Sequence, residues 1–421
     1  MNRRSFLFAI VLAFLLSAPL LAVERFPPPD FETNYSFPTT TVPPPRVDQY
    51  DYIDAAVLLV ALAVATLLIY RKRCRKGVFL LMLLSLAYFG FWRNGCICPI
   101  GSIGNIVMSI FDPAYTVPIV VILFFALPLL AALLFGRVFC AAVCPLGALQ
   151  DLVIFRPLEV PRSVEHLLRL FAWLYLGLAV LFAATGAGLL ICRYDPFIGF
   201  FRLGDHSSTL ILGASFLIIG LFIARPYCRF VCPYGLILRQ LGRLSRRFVT
   251  ITPAECVNCR LCEEVCPFNA IDKPTAPWPQ DQFVSDKRRL ALLISLLPIL
   301  VATLAFAGTR LDGILSRSHY TVQLAERVAL EQSGVVPDIT PNEILAFKKT
   351  GRTTDALYAD AAAIRRQFRL GGGILGAFIG LVIGLKLITL GVRWRRDEYQ
   401  AHRAACLACA RCFEYCPVRK K

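Results

Sequence analysis

Cysteine is the residue type in this chain whose spacing carries chemistry. The run Cys256-x2-Cys259-x2-Cys262-x3-Cys266-Pro267 recurs as Cys406-x2-Cys409-x2-Cys412-x3-Cys416-Pro417. In this pattern three closely spaced thiolates wrap three irons of a [4Fe–4S] cube, and the fourth cysteine ligates the other cube of a two-cluster unit. The expected ligand sets are therefore Cys256, Cys259 and Cys262 with Cys416, and Cys406, Cys409 and Cys412 with Cys266. Structural zinc is held by two cysteine pairs rather than by this run. Disulfide scaffolds belong to short secreted chains.

A second repeat is less common. Arg137-Val-Phe-Cys140-Ala-Ala-Val-Cys144-Pro145-Leu-Gly147 matches Arg225-Pro-Tyr-Cys228-Arg-Phe-Val-Cys232-Pro233-Tyr-Gly235. A truncated third copy reads Cys96-Ile97-Cys98-Pro99-Ile100-Gly101. Proline after cysteine suits the first turn of a helix. The cysteine then sits at a helix N-terminus, whose partial charge favours thiolate and anionic cofactors. Cys140, Cys144, Cys228 and Cys232 are thus candidates to hold or line a further redox centre inside the membrane: Fe–S, flavin or quinone. The plainer alternative is cysteine as a small buried hydrophobe, with Pro and Gly shaping re-entrant turns. Cys96, Cys98 and Cys192 fall together on the opposite face, where a redox site, a soft-metal site suited to Cu(I) or a disulfide are all open. Cys74 stands alone, and His402 reads as a solvated loop residue.

These cysteines need a scaffold, and composition says which. The 421 residues are 57% hydrophobic and only 17% charged, with a mean hydropathy of +0.62. That is too little charge for a soluble enzyme of this size and excludes disorder. The expected fold is mostly α: a polytopic helical membrane protein with about seven spans and an N-terminal signal or anchor. Residues 1–22 read as the signal peptide or anchor and 23–50 as a Pro-rich periplasmic linker. Apolar runs at 54–70, 78–92, 117–136, 168–191, 208–224, 290–308 and 371–392 approach the ~20 residues a span needs. Pro128 and Pro298 are expected to kink their spans. Residues 51–250 make a membrane domain, 251–275 and 400–421 the two ferredoxin-type halves, and 309–370 a small periplasmic domain between the last two spans. Gly372, Gly376, Gly380 and Gly384, four residues apart, form a helix-packing face, and Lys386 is expected to snorkel.

Charge gives orientation. The chain has 45 Lys and Arg against 28 Asp and Glu, a net +17. The basic clusters after the 54–70, 117–136, 208–224 and 371–392 runs fall on one side, the cytoplasm by the positive-inside rule. No nucleic-acid partner is needed to explain the excess. Two spans separate the ferredoxin-type halves, so both return to that same face and can join as one module. No histidine lies in a span to hold haem, and there is no C-x2-C-H motif. Nor is there a dinucleotide fingerprint or P-loop.

Taken together, the two C-x3-C-P motifs and the split bicluster unit resemble the membrane polyferredoxins, of the kind of NapH and the C-terminal half of NosR. The resemblance is strongest over about 130–275 and at 406–417. It implies electron transfer between a quinol or cytoplasmic donor and a periplasmic-side acceptor bearing flavin or haem, in the bacterial inner membrane as part of a respiratory pathway. The chain departs from NosR in having no segment long enough for a periplasmic flavin domain. It departs from NapH in the distance between its ferredoxin-type motifs. A copper-reducing polyferredoxin of oxidase assembly is a third relative. The reading is a membrane iron–sulfur electron-transfer protein with two [4Fe–4S] clusters. The alternatives are a copper-ion or quinone reductase acting on its own, or a redox-sensing or assembly protein.

Overall fold

The computed structural model describes residues 48–95, 99–202, 207–251, 256–275, 282–334, 342–392 and 396–418. The expected signal segment, most of the Pro-rich linker, Cys96 and Cys98 lie outside them. The chain is mostly helical. In order, α1 (Asp48–Thr66) and α2 (Arg75–Ser85) each run on into a wider π-turn, and α3 (Ser102–Phe111) and α4 (Ile119–Phe135) follow. The short α5 (Val138–Ala142) and α6 (Pro145–Leu152) carry the first C-P motif, and α7 (Arg162–Ala184) leads to α8 (Leu190–Arg193). Then come α9 (Ile198–Arg202), α10 (Ser207–Gly220) and the second C-P pair, α11 (Pro226–Phe230) and α12 (Pro233–Arg243). The remainder is α13 (Leu261–Glu264), β1 (Ile271–Asp272), α14 (Gln282–Thr309), α15 (Asp312–Leu315), α16 (Tyr320–Gln332), α17 (Asn342–Lys349), α18 (Thr354–Gly391), β2 (Gln400–Ala401) and α19 (Arg411–Tyr415).

Among the described residues, five helices are long and apolar enough to cross a membrane: 49–71, 75–92, 163–184, 287–309 and 354–391. The expected runs at 117–136 and 208–224 form helices too, but of 17 and 14 residues, short of the ~20 that spanning needs. Gly136 takes φ +69° after α4, and Arg225 takes φ +49° ahead of α11. Both breaks release the chain into a C-P motif. α4 and α14 continue through Pro128 and Pro298.

The glycine face behaves as its spacing implies. A Cβ on Gly376 would stand 2.0 Å from the Leu304 carbonyl, one on Gly372 2.5 Å from that of Gly308, and one on Gly380 2.9 Å from Val301 Cα. Helices α14 and α18 therefore pack backbone to backbone, which only glycine permits. Lys386 turns inward and donates to the His166 carbonyl of α7 rather than snorkelling. The segment 309–370 holds its own small core of Val322, Ala325, Val328, Ile344, Phe347 and Leu357. Leu357 and Ala361 of that core belong to α18 itself, one 38-residue helix about 57 Å long, which runs unbroken from the small domain into the glycine face.

The ferredoxin-type halves meet. β1 pairs antiparallel with β2, Ile271 opposite Ala401 and Asp272 opposite Gln400. Arg396 reaches Asp272 at 3.0 Å, and the His402 amide donates to the Ala270 carbonyl at 2.9 Å.

Candidate metal centre

The two ferredoxin-type motifs adopt the same loop. Asn258 and Arg260 in the first have φ of +53° and +66°, and Ala408 and Ala410 in the second have +56° and +63°. Left-handed residues at matching positions are costly for non-glycines. Here they curl the backbone so that amide hydrogens turn toward sulfur. Ala408 N–H donates to Cys406 Sγ at 3.3 Å and Ala270 N–H to Cys266 Sγ at 3.4 Å.

The cysteines sort into crossed sets around two cavities. One is lined by Cys256, Cys259, Cys262 and Cys416. The other is lined by Cys406, Cys409, Cys412 and Cys266. The fourth cysteine of each motif thus faces the cavity of the other. Burial pushes the Cys262 thiol up to about 11 and Cys406 up to about 12. Such thiols become thiolates only when a cation takes the proton's place.

A third cavity is lined by Cys140, Cys144, Cys228 and Cys232, with Gly147 and Gly235. The two glycines are equivalent: a Cβ on Gly147 would sit 3.3 Å from the Cys140 carbonyl, and one on Gly235 3.3 Å from that of Cys228. The motif's glycine thus lets each short helix fold back onto its own cysteine. Gln150 Nε2 donates to Cys228 Sγ at 3.1 Å, Gly235 N–H to Cys232 Sγ at 3.2 Å, and Arg137 lies 3.9 Å from Cys140 Sγ. Donors aimed at sulfur favour anionic thiolate and tune any iron it holds. Among the described residues no three His, Cys, Asp or Glu side chains close on a single ion. The thiols instead ring cavities, as a polynuclear cluster requires.

The depth of this third cavity follows from one bond. Tyr234 at the start of α12 donates its hydroxyl to the Phe125 carbonyl at 2.7 Å. Phe125 is ten residues from the end of α4 at Phe135, or about 15 Å along the axis. The four cysteines therefore stand well inside the bundle rather than at the end of a span. Gly95, Pro99 and Ile100, around the third copy of the motif, line the same cavity. Cys192 lies apart, exposed on α8.

Sequence reasoning missed the residues that join these sites. Asp151 lies at the end of α6 beneath three guanidiniums: Arg75 at 3.1 Å, Arg225 at 3.3 Å and Arg411 at 3.4 Å. Burial alone would raise its carboxyl, but Arg225, Arg411 and Arg75 outweigh burial and hold it at about 2. Arg225 is 0% exposed. It donates to the Cys140 carbonyl and lies 5.6 Å from the centre of the Phe268 ring. Arg75 donates to the Cys409 carbonyl at 3.1 Å. One buried carboxylate thus ties the intramembrane cavity to the cavity of Cys406, Cys409 and Cys412. The signal lay in the sequence: Gln150 and Asp151 follow a C-P-x-G turn in an otherwise apolar stretch. His402 is not a solvated loop residue. It is partly buried, and its Nδ1 accepts from the amides of Ala404 and Ala405 at 3.1 and 3.2 Å, shaping the turn before Cys406. Cys74 caps α2, accepting from Gly77 N–H at 3.4 Å.

Comparison with known proteins agrees with the chemistry of the donor sets. A family model described as a 4Fe-4S binding domain matches residues 116–159 and 206–252, the two segments that carry the repeated C-P motif. A second 4Fe-4S binding domain model matches 249–272, the first ferredoxin-type motif. The regulatory protein NosR of Stutzerimonas stutzeri is 28% identical over 241 residues, 51% of this chain and 33% of NosR. NirI of Paracoccus denitrificans is 31% identical over 168 residues, covering 37% of this chain and 24% of NirI. The methylamine utilization ferredoxin-type protein MauN of Methylobacillus flagellatus is 27% identical over 140 residues, 31% of this chain and 48% of MauN. The chain thus spans half or less of the length of each of these three relatives. No solved structure matches. The fold and the donor sets define an iron–sulfur membrane protein of ferredoxin type. Within that class the chain is similar to NosR, NirI and MauN.

Proposed function

We propose that this protein is an electron conduit of a bacterial inner membrane, carrying two [4Fe–4S] clusters in the crossed ferredoxin-type sites. A third such cluster sits among Cys140, Cys144, Cys228 and Cys232. The observation that carries the reading is the chain of cysteine-lined cavities joined through Asp151 and Arg225. When bound, such clusters supply one-electron transfer at potentials set by charge, burial and hydrogen bonds to sulfur. The protein supplies the rest. Left-handed loops and N–H donors hold the thiolates, and α12 carries Cys232 deep into the bundle. The hydrocarbon core, ~30 Å thick, would otherwise insulate one face from the other. The basic ends of the helices favour the cytoplasm for the ferredoxin-type module. Electrons would then pass between a quinol or cytoplasmic donor and an acceptor on the periplasmic side that bears flavin or haem.

Iron and acid-labile sulfide per chain test this. Three cubes give about 12 iron, and two give about 8. The variant Cys140→Ala/Cys228→Ala should lose about four iron and keep the rest. A native content of about 8, unchanged in that variant, would refute the third cluster while sparing the other two.

A further inference from the structure

One further cavity reaches the proposed third cluster site at Cys228 and Cys232 but extends well beyond it. It has a volume of ≈ 1030 Å³ and lies between α7, α12, the last turns of α18 and the loop before Cys406. Its polar wall is cationic: Arg137, Arg169, Arg239, Arg243, Arg403 and Lys386 all line it. The carboxylates nearby are already committed. Glu165 pairs with Arg229 at 2.7 Å and with Arg169, and Asp272 with Arg396 at 3.0 Å. Arg239 makes no ion pair with any described residue, and its Nε is buried without a partner, as are those of Arg137 and Arg169. Arg239 and Arg243 stand four residues apart on α12, a spacing at which like charges repel. Burial, together with Arg169, Arg137 and Arg243, holds the Arg239 guanidinium well below its ordinary range.

Cationic groups crowded in a half-closed cavity build a strong positive potential. Guanidiniums match phosphate oxygens in geometry as well as charge. The opposite wall is apolar: Trp173 of α7 with Val382, Leu385 and Leu390 of α18. Leu385 and Leu390 are exposed at the bundle surface, so the cavity opens along a greasy groove between two membrane-capable helices. A ligand that satisfies both walls has an anionic head and an apolar body.

We propose that this cavity binds an amphiphilic phosphate ester, its phosphate among Arg137, Arg239 and Arg243 and its apolar body in the groove between α7 and α18. Two sources share that chemistry: an anionic glycerophospholipid from the surrounding leaflet, and a flavin 5′-phosphate. Basic pockets between membrane helices are established lipid-headgroup sites in other proteins. The cavity touches Cys228 and Cys232 on one side and Ala405 and Leu407, which flank Cys406, on the other. A bound phosphate would therefore sit beside two of the proposed clusters, yet its binding does not depend on them.

The test uses the full chain in neutral detergent after exhaustive detergent washing. Dioleoylphosphatidylglycerol, dioleoylphosphatidylcholine and riboflavin 5′-phosphate are titrated separately and followed by native mass spectrometry. Brominated phosphatidylglycerol reports on Trp173 by fluorescence quenching, with Trp173→Phe as control. The expected result is binding of phosphatidylglycerol or riboflavin 5′-phosphate, weakened at least tenfold in Arg239→Gln/Arg243→Gln. Phosphatidylcholine should bind no better than to that variant. Saturation by riboflavin phosphate that displaces phosphatidylglycerol assigns the site to the flavin, and the reverse assigns it to lipid. Should the variant fail to fold, wild type is titrated with inorganic phosphate against chloride at equal ionic strength, and phosphate should compete. Binding of neither ester, equal binding of phosphatidylcholine, or affinity indifferent both to the arginines and to phosphate would overturn the proposal.

Discussion

Replacing Asp151 by asparagine keeps the shape of the side chain and removes its charge. Arg225 then remains fully buried beside the Cys140 carbonyl, Met82 Sδ and the Phe268 ring, with no carboxylate partner among the described residues. The Asp151 side chain is itself 1% exposed, so solvent screens little of the loss. Breaking a buried ion pair from one side costs about 3–5 kcal/mol, on the order of 10²–10⁴-fold in the folded population. Part of that loss should fall on the seat of the ferredoxin-type module, because Arg75 and Arg411 lose their anchor as well. The assay is thermal unfolding in detergent by tryptophan fluorescence, for wild type, Asp151→Asn and Asp151→Asn/Arg225→Met. The double variant removes the orphaned charge and should recover most of the loss, since apolar replacement of a buried pair is often neutral. The sign with pH follows from the depressed carboxyl. Its contribution is complete above the ordinary value of 3.8 and vanishes as pH falls through about 2. The gap between wild type and Asp151→Asn should therefore be full at pH 7 and begin to close below pH 4. A single variant within ~0.5 kcal/mol of wild type, the scatter of ordinary surface changes, would refute the reasoning. So would a double variant as unstable as the single one.

Three further outcomes follow from the geometry. Cys416→Ala should damage the cluster of Cys256, Cys259 and Cys262, while Cys266→Ala should damage that of Cys406, Cys409 and Cys412; EPR of each variant, set against Cys259→Ala and Cys409→Ala, reads which signal is lost. Gln150→Leu removes the donor to Cys228 Sγ at 3.1 Å and should lower the potential of the intramembrane centre by a few tens of mV, a fraction of the ~59 mV per tenfold of a one-electron couple, with the other centres unmoved in a redox titration. Gly376→Leu places a side chain where even a Cβ meets the Leu304 carbonyl at 2.0 Å; α14 and α18 should separate, read as faster proteolysis of the 309–370 segment.

The spacing of the cysteines disclosed the crossed cavities because thiolate ligation is a local demand written into a few consecutive residues. The repeated C-P-x-G turn was legible for the same reason. Its depth was not, since hydropathy is blind to a chain that stops at Gly136, turns, and re-enters as a short helix. Nor could hydropathy show that α18 crosses from polar to apolar surroundings without a break at 370, because backbone hydrogen bonding continues whatever the side chains face. Gln150 and Asp151 escaped because each is a single polar residue whose partners lie 74 to 260 positions away, and Arg225, visible as the first residue of the repeated motif, gave no hint of its carboxylate partner. His402 was read as a solvated loop residue, and it follows directly on β2, which forms only once the two halves meet.

That meeting bears on the order in which the protein is made. Each ferredoxin-type cavity borrows one wall from the other motif, and 150 residues separate Cys256 from Cys406. On the proposed crossed ligand sets, a nascent chain that has completed 256–266 owns three ligands for one cube and a stray fourth for a cube whose main loop has not been synthesised. Between the two stand α14, the small helical domain and α18, which must be inserted and packed, glycine against backbone, before 406–416 can return. Iron delivery to these sites therefore belongs after membrane insertion, and both cubes should mature together. A helix pair that inserts slowly or packs badly would thus reach the cell as an iron-delivery defect, with both centres missing although every ligand is in place.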